Sequence, residues 1–313
     1  MHLPVITGVD GSEASLAAAD WAAREALLRD RPLRVLHALP LMPHLLPSWC
    51  AQPRPAGADL LHDVRHVLAV RHPQLAVRTE EVHDAVTSAL VAAGEDAELL
   101  VLGARGSGGF PELRVGATAL HIAARVGCPT VLVPLEPLGP QPREQVVIGV
   151  DARRPAEAAI EFAFEAARRY GLPLRAVDAG AAPPTEGTGS GRGGESALLA
   201  RVLQPWQAIH PEVQVVADIE GAGPGRVLVE ASAKARLLVL GRRPTDRAGV
   251  LGPVAHAVLH HADCPVAVVP AAWDQPRPGT FGPARRPLGP CGRTSPRAST
   301  SAGCQRSGPV PRP

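Results

Sequence analysis

The stretch HLPVITGVDGSEASLAAADWAAREAL at residues 2–27 returns, altered, as EQVVIGVDARRPAEAAIEFAFEAARR at residues 144–169. Each copy opens on a short β-branched run that ends at an aspartate, Asp10 or Asp151, and passes within a few residues into an alanine-rich segment. In the first copy Leu16, Ala19, Ala23 and Leu27 recur at three and four residues, the spacing of one helix face, and Ser12 stands where an N-cap belongs, with Ser15 in the first turn. A strand that feeds a helix directly is the start of a crossover unit.

The repetition continues along the chain. AELLVLGARG at 97–106 matches ARLLVLGRRP at 235–244, and VGCPTVLVPLEP at 126–137 matches ADCPVAVVPAAW at 262–273, so Cys128 and Cys264 are equivalent. A unit of this length is a whole domain, not a solenoid turn. The expected domains are therefore 1–138 and 143–273. Within the first, LPVITGV, LRVLHAL, LAVRTEEV, ELLVLG and PTVLVPL read as five strands, several of them almost continuously apolar as buried parallel strands are. Helical patterns separate them, and right-handed crossovers then give an α/β fold of two tandem, doubly wound, five-stranded parallel sheets. GAAPPTEGTGSGRGGE at 180–195 reads as a flexible surface loop, and 274–313, rich in Pro, Arg, Gly and Ser without periodicity, as a disordered tail.

Composition narrows the function. The 45 % hydrophobic content includes only 3 % aromatic residues, so cores of Ala, Val and Leu are expected. The five cysteines form no CxxC pair and MHLPVITGVD lacks the features of a signal peptide, which points to a reducing, cytoplasmic setting. No run of about 18 apolar residues exists to span a membrane. Net charge is +2, but residues 275–313 hold seven arginines and no acid, so +2 less the tail's +7 leaves the body at −5. That balance argues against a nucleic-acid surface on the folded part.

VLGARGSGGFPELRVGATA at 101–119 carries the chemistry. Its spacing is Gly103-x2-Gly106-x9-Gly116, followed by Ala117 and Thr118 as a helix begins. Glycines between a strand end and a helix start leave backbone N–H groups open to an anion, and a phosphate chain is the expected occupant, with Arg105 as a secondary cation. Other chemistries fare worse. His62 with His66 and His256 with His260 have the i, i+4 spacing of a zinc pair but no third ligand, so they read as solvent-facing. No G-x-S-x-G elbow is present, and Cys128 and Cys264 precede prolines at strand entries, where burial is expected. His37 reads as a packed strand residue. Glu112 is the loop's one carboxylate, and no water-activating base is evident.

GVDGS after the first strand, GARGSGGF after the fourth, Gly116 at its fixed distance and CPTVLVP at the end together resemble the universal stress protein family, in its tandem two-domain, actinobacterial form, over residues 3–271. The resemblance implies a Rossmann-like fold of the adenine-nucleotide alpha-hydrolase type and an ATP site, with Mg2+ as an optional companion. Gly103, Arg105, Gly106, Ser107, Gly108, Gly109, Gly116, Ala117 and Thr118 would surround the phosphates, Gly8 and Asp10 would meet the nucleoside, and Ala38 would offer backbone groups to adenine. It implies a nucleotide-dependent regulator or interaction module in stress response, with a nucleotide-free scaffold and a slow ATPase as alternatives. An intrachain pseudo-dimer through the last strands is expected, and a homodimer is allowed. Ala117 departs from the family's Ser or Thr at a cost of about 0.5–1.5 kcal/mol for one hydrogen bond. The second repeat departs further, with Pro244 for the second glycine and two residues fewer between Gly241 and Gly252, so its loop is expected to hold phosphate poorly.

Overall fold

The computed structural model describes residues 2–39, 57–106, 114–135, 143–178, 191–218, 223–243 and 249–273. Residues 274–313, Ser107, Gly108, Gly109, Glu112, Pro244 and most of the 180–195 insertion lie outside them. The first repeat runs β1 (Val5–Gly8), α1 (Glu13–Arg29), β2 (Leu33–Ala38), α2 (Gly57–Arg71), β3 (Val77–Val82), α3 (Val86–Gly94), β4 (Leu99–Gly103), α4 (Ala117–Ala123) and β5 (Thr130–Val133). The second runs β6 (Gln145–Val150), α5 (Glu157–Tyr170), β7 (Leu174–Asp178), α6 (Gly191–Ile209), β8 (Val215–Asp218), α7 (Pro224–Ser232), β9 (Ala235–Arg242), α8 (Pro253–His261) and β10 (Val266–Pro270). The start of α6 corrects the reading of 180–195 as loop throughout, because the helix reaches back to Gly191.

The strands form one ten-stranded sheet in the order β3-β2-β1-β4-β5-β10-β9-β6-β7-β8. Each half is parallel and doubly wound. The halves join where β5 meets β10 antiparallel, with Thr130 opposite Val268 and Leu132 opposite Val266. Because side chains alternate along each strand, two apolar layers result. Val5, Val35, Leu99 and Val101 lie on the α1 side with Phe162 and Phe164 of α5, and Ile6, Leu36, Leu100 and Leu102 lie on the other, against α3 and α4.

α1 forms as its sequence predicts, with one change of face. The Ser12 side chain accepts a hydrogen bond from the Ser15 amide at 3.2 Å, which satisfies one orphan donor of the first turn. The buried stripe, however, is made of alanines (Ala14, Ala18, Ala19, Ala22, Ala23 and Ala26), and Leu16 is 42 % exposed. Small side chains let the helix lie close to the sheet. α5 begins at Glu157, which matches Leu16, so the second repeat lacks that first turn. Pro155 replaces Ala14 there, and it both removes an amide donor and steers the preceding residue away from helix.

An ionic cluster is buried where α1 meets α5. Glu25 Oε1 accepts from Arg29 Nε at 2.7 Å, and Tyr170 donates its hydroxyl to Glu25 Oε2 at 2.6 Å. Arg29 Nη1 reaches Glu98 Oε1 at 3.3 Å, and its guanidinium lies 5.2 Å from the centroid of the Phe162 ring. Burial alone pushes the Glu25 carboxyl up, but Arg29, Arg169 and the Tyr170 hydroxyl outweigh it and hold it below the usual carboxylate range.

Candidate functional site

The order of strands reverses between β1 and β4, and ligands of open α/β sheets sit beyond the C-terminal strand ends at such a point. There the turn after β1 and the loop after β4 touch. Asp10 is fixed by the first turn of α1: Ser12 donates to Oδ1 from its amide at 3.0 Å and from its hydroxyl at 2.6 Å, and the Asp10 amide donates to Ser15 Oγ at 3.3 Å. A β-carbon on Gly106 would stand 3.0 Å from Asp10 Oδ2. The glycine therefore lets the β4 loop pass directly against the acid that follows β1.

The other expected site residues divide by role. Gly103 faces inward, since a β-carbon there would lie 2.8 Å from the carbonyl oxygen of Ala14, so this glycine serves the close packing of α1 on β4. Gly8 likewise faces Leu90 and Leu102, whose methyls would stand 3.0–3.3 Å from an added β-carbon, which makes it a packing position. Gly116 is different. Its φ is −79°, and among the described residues an added β-carbon would find only the Ala104 carbonyl at an ordinary 3.7 Å, so none of them demands glycine. Its amide is already spent on Ala104 O at 2.7 Å, which corrects the expectation that it offers a donor: it offers room. Ala117 and Thr118 are exposed and Arg105 is half-buried. Ala38 ends β2 opposite Val82. Ser107, Gly108 and Gly109 fall outside the described residues.

His37 is packed in β2 at 3 % exposure, and its Nδ1 donates to Val9 O at 2.8 Å. His62 and His66 are exposed on α2. Among the described residues no group of three His, Cys, Asp or Glu is placed to hold a metal ion, and no helix is long and apolar enough to cross a membrane. Burial pushes the Cys128 and Cys264 thiols up to about 12, so neither is a ready nucleophile.

At the matching point of the second repeat the acid is enclosed. Asp151 Oδ1 accepts from the amides of Arg153 at 3.1 Å and Arg154 at 3.3 Å, while Oδ2 pairs with the Arg243 guanidinium and lies 3.7 Å from Arg154 Nε. Gly241 keeps the packing role of Gly103, since a β-carbon there would overlap the Ala156 methyl. The glycine spacing singles out Pro244 and carries no sign of Arg242 or Arg243. The signal was present in GRRP, where the first repeat has GARG.

Two doubly wound α/β repeats, each with an acid after its first strand and a loop after its fourth, define the class. The chain belongs to the universal stress protein family: that family's model matches it twice, at residues 1–134 and 142–270. A universal stress protein of Mycolicibacterium smegmatis is 32 % identical over 291 residues, spanning 85 % of this chain and 96 % of its own length. The crystal structure of a universal stress protein from Archaeoglobus fulgidus shares the fold with a TM-score of 0.61 at 14 % identity, covering 86 % of this chain and 98 % of that one. A shorter universal stress protein from Archaeoglobus fulgidus, solved in complex with dAMP, is 25 % identical and covers 40 % of this chain and 97 % of its own, with a TM-score of 0.31.

Proposed function

We propose that the first repeat binds ATP beyond the C-terminal ends of β1 and β4, and that the chain acts in stress response as a nucleotide-dependent regulator holding one nucleotide. The approach of Gly106 to Asp10 carries this reading, because it brings a glycine-rich segment suited to phosphate beside an acid suited to ribose hydroxyls. The room at Gly116, which no described residue fills, supports it. The functional units on this reading are residues 1–138 and 143–273, with only the first loaded. In the second, a nucleotide would have to displace Arg243 from Asp151, and the lost or distorted donors cost on the order of 1–3 kcal/mol, roughly a tenfold to hundredfold loss of affinity.

Calorimetric titration of ATP tests this. One site per chain is expected, and Gly106→Asp, which adds bulk and negative charge against Asp10, should abolish it while circular dichroism stays unchanged. A folded Gly106→Asp that binds ATP as the wild type does would remove the loop from the site.

A further inference from the structure

The end of β9, next to the Arg243 that pairs with the acid of the second repeat, also reaches the first repeat. Arg242 follows Gly241 and stands where the first repeat has Ala104. Its guanidinium crosses between the repeats: Nη1 donates to Ala123 O at 3.0 Å and Nη2 to Val126 O at 2.8 Å. Ala123 is the last residue of α4, and both acceptors belong to fully buried residues, 1 % and 0 % exposed. The last carbonyls of a helix have no intrahelical partner. Those of Leu120 and Ile122 are met locally by the amides of Ala124, Arg125 and Val126, and Arg242 meets Ala123 O and Val126 O from the other repeat.

Contacts around this clamp reinforce it. Gly249, at φ +90°, lies so close to the side chain of Arg125, two residues past α4, that a β-carbon would stand 2.7 Å from its Cζ. In the opposite direction Arg114, two residues before Gly116, donates to His261 O at 3.4 Å and to Asp263 Oδ1 at 3.3 Å, at the end of α8. Each repeat thus holds the C-terminal end of the other's corresponding helix.

We infer that Arg242 is a positioning residue for the nucleotide site of the first repeat, acting through α4; the inference rests on the ATP reading above. α4 is a two-turn body that begins right after Gly116, so the anchor at its far end fixes where Gly116, Ala117 and Thr118 stand. Only Ala119, Ile122 and Ala123 of the helix are buried, so two charge-assisted hydrogen bonds are a large share of what holds it. Without them two buried carbonyls are left unmet, and the cheapest relief is for α4 to shift or fray. That movement carries Gly116, Ala117 and Thr118 away from Ala104.

The test titrates ATP into the full-length wild type, Arg242→Ala, Arg242→Lys and Arg226→Ala, well below their melting temperatures, and follows amide hydrogen exchange over residues 114–126. Arg242→Ala should weaken ATP by about tenfold and speed exchange across α4. Arg242→Lys, which keeps the charge but cannot span both carbonyls, should fall between and serves if the alanine variant does not fold. Arg226, exposed beside Glu230 on α7, should change nothing. A lower melting temperature for Arg242→Ala with ATP affinity within about twofold of wild type would make the clamp purely structural and overturn the inference alone. A wild type that binds no ATP would overturn both readings.

Discussion

The two repeats share their strand order and the glycines that let helices lie on strands, Gly8 with Gly149 and Gly103 with Gly241, yet their entry turns have diverged. In the first, Ser12 caps a helix whose opening turn fixes Asp10. In the second, Pro155 delays the helix, and Asp151 is taken up by two backbone amides and two arginines. Packing glycines persist where the surroundings of the acid have changed, so a glycine in such a loop indicates a ligand only after its packing role has been subtracted. By that measure Gly8 and Gly103 serve the fold, Gly106 makes way for Asp10, and Gly116 is left without a packing role among the described residues.

The largest expected effect concerns the junction, where Glu25 is matched by Ala166 in the second repeat. Glu25→Ala takes a shared buried carboxylate from Arg29 and Arg169, leaving Arg29 with Glu98 and Arg169 with Glu165, and should cost about 3–5 kcal/mol in urea unfolding. Since the folded carboxyl is held below its unfolded value, its contribution is complete above that unfolded value, about 4.3, and is lost as pH falls through the lower folded one. The wild type should therefore lose stability more steeply in acid than Glu25→Gln; parallel acid profiles would refute the assignment.

Next come the glycines. Gly103→Ala and Gly241→Ala should each destabilise by about 1–3 kcal/mol, because the Ala14 backbone or the Ala156 methyl just before α5 blocks the added carbon. Gly116→Ala should stay within about 0.5 kcal/mol in stability while weakening ATP. Equal melting temperatures for all three would erase the division between packing and site glycines. The aspartates sharpen it further: Asp10→Ala should weaken ATP by about tenfold, near 1.4 kcal/mol, and Asp151→Ala should leave it unchanged. Equal losses from both, or two equivalent sites by titration, would show that the second repeat also binds. The smallest effect is Ser12→Ala, about 1 kcal/mol from the lost cap, read by thermal melting.

Much of this fold was legible because buried parallel strands are written as apolar runs and because the chain states its plan twice. The Ser12 cap was legible for the same local reason. What lay beyond reach depends on surfaces that meet only after folding. The stripe of α1 could not be assigned to alanines rather than leucines without knowing how near the sheet lies, and the inward face of Gly103 depends on the Ala14 carbonyl, far away in sequence. Arg242 meets its acceptors across 116 residues or more, and a doubled arginine in GRRP was the sole trace of it.

The antiparallel seam between β5 and β10 also has a timetable. β5 ends at Val133 and its partner begins at Val266, so during synthesis at roughly 5–20 residues per second the finished first half waits about 7–27 s with an apolar strand edge unpaired. Neighbouring ribosomes on one message carry the same bare edge in that interval. The seam that closes a single chain is thus also the place where two nascent chains can exchange halves, and the arginine clamps, which form only when the second half arrives, come too late to prevent it.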